Sequence, residues 1–180
     1  MKSCSLSPIM STSNENSTDL FHQHRFASVE SYLHHRAPYL LIETVEEIKA
    51  ESVFTSAAVD EGAFYIQGHF PGAPVLPGAM MQEMTTQSAG VLIAANFNPM
   101  EKYKTEDPEF NEFALGVLVK IKHARYRGFA RPGDQLEIHI DLDQRISHLF
   151  DFSGRIECNG KTIYQNQFQL ANIRSDELRG

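Results

Sequence analysis

A chain of 180 residues, 42% apolar and 22% charged, has the composition of one globular domain with a core of its own. Its net charge of −7 argues against a general nucleic-acid binder, which needs a basic face, and no apolar run approaches the roughly 18–20 residues of a membrane span. Two cysteines, Cys4 and Cys158, make no disulfide framework; without an apolar stretch near Lys2 to act as a secretory signal, the expected location is the cytoplasm.

Residues 1–24 are rich in Ser, Thr and Asn without periodicity and read as a disordered polar tail. A folded domain is expected over 25–174, with 175–180 as a second tail. Within 25–35 a short helix is expected, with Ser28 as N-cap and Phe26, Val29 and Leu33 at helical spacing. Residues 39–48 and 51–59 read as two strands joined at Lys49–Glu51. The segment 68–78 is broken by Pro71, Pro74 and Pro77 and by Gly68, Gly72 and Gly78, so it reads as a loop. From Ala79 to Asn96 the chain is apolar almost all round, the mark of a buried helix. Residues 97–111, charged and holding two prolines, read as a surface excursion.

The remainder alternates with a period of two. Leu115, Val117, Val119 and Ile121 form one such run, Leu136, Ile138, Ile140 and Leu142 another, and Phe150, Phe152, Gly154 and Ile156 a third. One buried and one solvated face imply an antiparallel sheet. Asn159-Gly160 marks a hairpin, and Pro132-Gly133-Asp134 a turn. Two strands, a helix with no wet face and about four more strands give an α+β chain of hot-dog type, a curved antiparallel β-sheet wrapped around a long central helix. Such a sheet has an edge strand to cover, which pairing into a dimer would do.

Chemistry concentrates between His69 and Glu83. The Gly78 amide falls in the first helical turn, where N–H groups lack intrahelical partners and can stabilise an oxyanion. Glu83 projects from the next turn of a buried helix, where a carboxylate is costly unless paired or raised in pKa. A His, a Glu and an oxyanion donor suit proton abstraction beside a carbonyl. Equally open on residue chemistry alone is a salt-bridged or solvated Glu83, with His69 merely bonding its own loop.

The segment resembles the signature of the FabZ-type 3-hydroxyacyl-acyl-carrier-protein dehydratases of bacterial fatty-acid synthesis, through His69, Phe70, Pro71, Gly72, Pro74, Pro77, Gly78, Glu83 and Gln87. The similarity extends to His35-Arg36-Ala37-Pro38-Tyr39-Leu40-Leu41-Ile42, Ala124-Arg125-Tyr126 and Arg131-Pro132-Gly133-Asp134, covering about residues 30–172. It departs at Thr85 and Thr86, where the family has small apolar residues, and in the charged 97–111 segment. Glu83 stands where the related dehydratase-isomerases carry Asp, which disfavours isomerisation.

The resemblance implies dehydration of a (3R)-hydroxyacyl thioester to the trans-2-enoyl thioester. His69 and Glu83 would be catalytic, and Gly78, Phe70, Gly72, Pro77 and Gln87 would bind substrate. The substrate rides on phosphopantetheine, with no metal and no other cofactor. It also implies a homodimer or a hexamer (a trimer of dimers), with His and Glu of one site from different subunits. The partner would be acyl carrier protein, docked on Lys120, Lys122, Arg125, Arg127 and Arg131. Lys120 and Lys122 are expected on one strand face and the apolar residues from Leu115 to Ile121 on the other. His35 and Arg36 are expected to pack. Competing readings are a hot-dog acyl-CoA thioesterase, a non-catalytic acyl-binding subunit, and a dehydratase of polyketide or specialised lipid synthesis.

Overall fold

The computed structural model describes residues 20–106 and 113–174. A 3-10 turn, Val29–Ser31, precedes strands β1 (Thr44–Ile48) and β2 (Ser52–Ala58), a short helix α1 (Phe64–Gln67) and the long helix α2 (Gly78–Asn96). Strands β3 (Phe113–Tyr126), β4 (Gln135–Ile146), β5 (Leu149–Cys158) and β6 (Lys161–Arg174) follow. All six strands form one antiparallel sheet in the order β1-β2-β4-β5-β6-β3, and α2 packs against its inner face. This is the hot-dog arrangement. Among the described residues no helix is long and apolar enough to cross a membrane.

The period-two runs account for the sheet. Leu136, Ile138 and Ile140 of β4 and Phe150, Phe152 and Ile156 of β5 are buried, while Glu137 and Asp141 face water. Met84, Leu92 and Ile93 of α2 are among the largest fully buried side chains. Asn159 and Gly160 both take positive φ, 52° and 70°, the backbone a tight two-residue hairpin requires. The turn at 131–134 closes through Asp134 N–H donating to the Arg131 carbonyl at 3.0 Å.

α2 also buries polar side chains, each with a partner. Gln82 Oε1 accepts from the Tyr164 hydroxyl (2.7 Å) and from Asn166 Nδ2 (3.1 Å). Asn166 Nδ2 also reaches Thr85 Oγ1 at 2.8 Å, and Ser88 Oγ lies 2.7 Å from Thr55 Oγ1. Thr85 and Ser88 hydroxyls donate back to helix carbonyls. These bonds offset the desolvation cost of polar groups in a dry interface.

Several expectations require correction. The first helix is only a 3-10 turn, and Ser28 makes no cap bond to it; its hydroxyl lies 3.0 Å from that of Ser31. Residues 39–43 are not strand: the Tyr39 and Leu40 amides turn back to the Arg36 carbonyl, Leu41 N–H donates to Gln87 Oε1 at 2.8 Å, the Tyr39 carbonyl accepts from Gln87 Nε2 at 2.8 Å, and pairing with β2 starts only at the Glu43 amide, which bonds the Ser56 carbonyl. Residues 20–24 are not loose. His22 and His24 amides bond the Asn98 and Ala95 carbonyls, and the Phe21 ring packs edge-on against Phe97. Of the tail, residues 1–19 lie outside the described residues, as do 175–180.

The stretch 97–106 is a structural plug. Asn98, Tyr103 and Thr105 are buried, and the Tyr103 hydroxyl donates to the Tyr32 carbonyl at 2.9 Å. Residues 107–111 of the expected excursion lie outside the described residues. In β3 the alternation is broken by register shifts between Leu118 and Lys120 and between Ile121 and His123. At this sheet edge every residue from 118 to 127 is exposed, so Leu118, Val119 and Ile121 do not fill this chain's core.

Candidate functional site

The loop between α1 and α2 carries His69, and local bonds fix it. Its backbone carbonyl accepts from Val75 N–H at 2.9 Å, and Leu76 N–H donates to the Ala130 carbonyl at 2.8 Å. His69 Nδ1 lies 3.1 Å from the Val75 carbonyl oxygen. A carbonyl only accepts, so Nδ1 carries the hydrogen, and in the neutral ring Nε2 is a bare lone pair. That is the tautomer a general base needs. Phe70 stacks on the imidazole with centroids 4.2 Å apart and is itself exposed. Gly72 takes φ +79°, a conformation only glycine adopts freely.

Pro77 caps α2 in extended conformation, and Gly78 opens it. The proline lacks an N–H and fits a position where no donor is needed. The Gly78 amide is then among the N–H groups without an intrahelical acceptor. A methyl group on Gly78 would lie 2.6 Å from Cε1 of Tyr126, so the ring of Tyr126 borders the helix start. The Tyr126 and Tyr164 rings lie 4.8 Å apart, and the Tyr164 hydroxyl donates to Gln82, so the helix start borders the Gln82 network.

Glu83, its side chain 17% exposed, is enclosed by α2 and the segment before β1. Gln87 Nε2 donates to Glu83 Oε1 at 2.9 Å, and the Tyr39 hydroxyl also acts on this carboxyl, favouring its ionised form. His35 Nε2 stands 3.9 Å from Glu83 Oε1. Burial pushes the Glu83 carboxyl above the ordinary glutamate pKa, partly opposed by Gln87 and Tyr39. Among the described residues, the partners of Glu83 come from α2 and residues 35–39, none from the His69 loop. Sequence reasoning missed Tyr39, Tyr126 and the approach of His35. Tyr39 lies in a run taken for a strand, and Tyr126 is joined to the site only by the fold.

The basic residues separate into two groups. Lys122 is committed to Asp151 at 2.7 Å, whereas Lys120, Arg125, Arg127 and Arg131 are exposed. Arg127 and Arg131 join Lys161, which the sequence reading did not single out, around a groove of about 470 Å³ that also holds Phe129 and Asp134.

Residues 33–167 match the model of the FabA-like domain. A 3-hydroxyacyl-[acyl-carrier-protein] dehydratase FabZ of Rickettsia bellii is 31% identical over 137 residues, 74% of this chain and 86% of its own. The FabZ of Thiobacillus denitrificans is 29% identical over 81% of this chain and 94% of its own. Among solved structures, the dehydratase heterocomplex ApeI:P of Xenorhabdus doucetiae superposes with TM-score 0.69 at 23% identity, over 86% of this chain and 96% of the other. Zebra fish thioesterase superfamily member 2 gives TM-score 0.53 at 18% identity, over 73% and 80%. At these identities the structural likenesses speak for the fold alone.

Proposed function

The chain belongs to the FabA-like domain family, and from that premise we propose that it removes water from (3R)-hydroxyacyl thioesters carried on acyl carrier protein, using His69 and Glu83. The observation that carries this reading is the opposite preparation of the two groups. His69 offers a bare Nε2, while burial holds the Glu83 carboxyl toward its protonated form. One is set to take a proton and the other to give one.

In the reaction the thioester oxygen accepts a hydrogen bond from the Gly78 amide, where charge develops. His69 Nε2 takes the α-proton, the Cα–H electron pair becomes the C=C bond, and the C–O bond breaks. Glu83 delivers its proton to the departing oxygen, so that water leaves. Gln87 and Tyr39 then hold the resulting carboxylate. Phe70, Gly72 and Pro77 shape the approach to the helix start. No residue step calls for a metal or a cofactor beyond the phosphopantetheine of the substrate, and the setting is the cytoplasm.

The site is proposed to be completed by a second copy. Glu83 and His69 are held by separate parts of one chain, and β3 is a 14-residue edge strand exposing Val119 (50%) and Ile121 (48%). An apolar edge of this length calls for a cover. Pairing of two β3 edges gives the dimer, and a trimer of dimers is its natural extension. Carrier protein, strongly acidic, docks on Arg125, Arg127 and Arg131, joined by Lys161.

Hydration of crotonyl thioester, followed as loss of ultraviolet absorbance, tests the catalytic assignment. His69→Ala and Glu83→Gln should each lose about 10²–10⁴-fold in turnover with the fold intact. Mixing the two inactive variants should restore some activity after subunit exchange. Near wild-type turnover in either variant would overturn the assignment.

A further inference from the structure

Beyond the groups already given a role, one ring near the carboxyl has an environment of its own. His35 is held in the segment before β1, its ring stacked on Tyr39 with centroids 5.9 Å apart and planes 29° apart. Its Nε2 lies 3.9 Å from Glu83 Oε1, longer than a hydrogen bond. Its Nδ1 is buried and has no hydrogen-bond partner among the described residues.

The surroundings make one neutral tautomer the least costly. A hydrogen on Nδ1 would be a buried donor without an acceptor, which is expensive. An imidazolium would carry that same orphaned hydrogen and a charge besides. The neutral ring with its hydrogen on Nε2 leaves only a bare lone pair at the buried Nδ1 and places its donor 3.9 Å from Glu83 Oε1. Burial and the neighbouring Arg36 charge push the His35 pKa down, in the same sense. The Arg36 guanidinium is itself turned away from Glu83, onto the Leu33 and His35 carbonyls and Thr105 Oγ1. His34 flanks His35 on the other side and packs edge-on against Tyr103. The titratable and charged groups around the pair are therefore Tyr39, His34 and Arg36, with the Gln87 amide facing the carboxyl from α2.

We propose that His35 is a positioning residue for Glu83, a neutral N–H donor that closes on the carboxylate as it forms. The proposal rests on the reading of Glu83 as the proton donor. In its role as proton donor the carboxyl starts in its protonated form, and the 3.9 Å gap is then tolerable. Once the proton has gone to the departing hydroxyl, a full charge sits in a half-dry pocket. Gln87 already donates to it, and a movement of about 1 Å brings His35 Nε2–H to hydrogen-bond length as a further donor. The proton of His35 is not transferred, so its ring needs no recharging between turnovers.

Two measurements on the full-length protein in its native assembly test this. In wild type, ¹⁵N shifts of the His35 ring at neutral pH should report a neutral ring protonated at Nε2. A ring protonated at Nδ1, or at both nitrogens, would overturn the proposal without any variant. The second measurement is a ¹³C carboxyl titration of Glu83, assigned by the signal lost in Glu83→Gln. In His35→Phe the midpoint should move up, because a donor to the carboxylate has been removed, and in His35→Gln it should return toward wild type. Turnover should fall roughly 10- to 100-fold in His35→Phe with KM little changed, as loss of a hydrogen bond to a charged group implies. A midpoint that stays or falls in His35→Phe, or a His35→Gln variant no better than His35→Phe, would overturn it. If Glu83→Gln keeps wild-type turnover, the acid role of Glu83 fails, while the titration still settles whether His35 donates to that carboxyl.

Discussion

Replacing Gly78 by alanine places a methyl group where the ring of Tyr126 already stands. The new carbon would lie 2.6, 3.1 and 3.1 Å from three ring atoms, so restoring an ordinary 3.4 Å contact requires the ring to retreat by about 0.8 Å. The ring can move, since Tyr126 is 53% exposed, but its retreat disturbs the packing against Tyr164, whose hydroxyl serves the buried Gln82. Overpacking costs about 1–3 kcal/mol. Alanine returns up to about 1 kcal/mol of that over glycine in a helix. The net loss of about 0–3 kcal/mol lowers the melting temperature by no more than about 12 °C at about 2–4 °C per kcal/mol. Catalysis should suffer more. The methyl and the displaced ring crowd the amide that receives the thioester oxygen, and a misplacement near 1 Å can cost about 10²-fold. Turnover of crotonyl thioester should therefore drop about 10- to 100-fold while the protein stays folded. Tyr126→Ala supplies the control. If the damage runs through the ring, the Gly78→Ala/Tyr126→Ala double variant should be within about twofold of Tyr126→Ala alone. A Gly78→Ala protein as active as wild type, or the same full loss repeated without the ring, would refute this reasoning.

Glu83→Gln should be inactive yet more stable than wild type at neutral pH. A carboxyl whose folded pKa is raised binds more protons in the native state than in the unfolded one, so its contribution is favourable at low pH and declines as pH rises through the folded pKa. Melts across pH should show the gain of Glu83→Gln growing from acid to neutral, and equal gains at every pH would count against a raised pKa. Charge reversal at Arg125 or Arg127 should raise KM for carrier-bound substrate, more at low salt, and leave turnover of a CoA substrate nearly unchanged; equal losses on both would end the docking idea. Lys122 reversal is a different experiment, since it also breaks the ion pair with Asp151. Val119→Asp with Ile121→Lys should dissociate the assembly in sedimentation and abolish activity together, whereas an active monomer would contradict a site shared between copies.

Much of the fold was legible in the chain because the inner surfaces follow simple periods. Leu136-Ile138-Ile140 and Phe150-Phe152-Ile156 alternate because one face meets α2 and the other meets water. The helix was legible within one residue, since Pro77 and Gly78 mark its start. What escaped depends on contacts distant in sequence. Residues 39–43 have strand composition, but Gln87, more than forty positions away, takes the Tyr39 carbonyl and the Leu41 amide, and β1 begins only at Thr44. Tyr103 and Thr105 sit in a charged stretch, yet they plug the segment from Glu30 to Arg36, bonding the Tyr32 and Glu30 carbonyls and the Arg36 guanidinium. At the site, the His69 loop and Glu83 were visible as residue types in an unusual setting. The hydrogen on His69 Nδ1 and the ring of donors around Glu83 were not, because no local pattern specifies what a side chain meets across the fold.

The most direct measurement is to give the wild-type protein a (3R)-hydroxybutyryl group on acyl carrier protein and to follow enoyl absorbance and free thiol in the same reaction. Dehydration predicts trans-2-enoyl thioester with no thiol released, and none of this product from the (3S) substrate or with Glu83→Gln. Thiol appearing without enoyl product would identify a hydrolase instead and contradict the proposed role of His69 and Glu83.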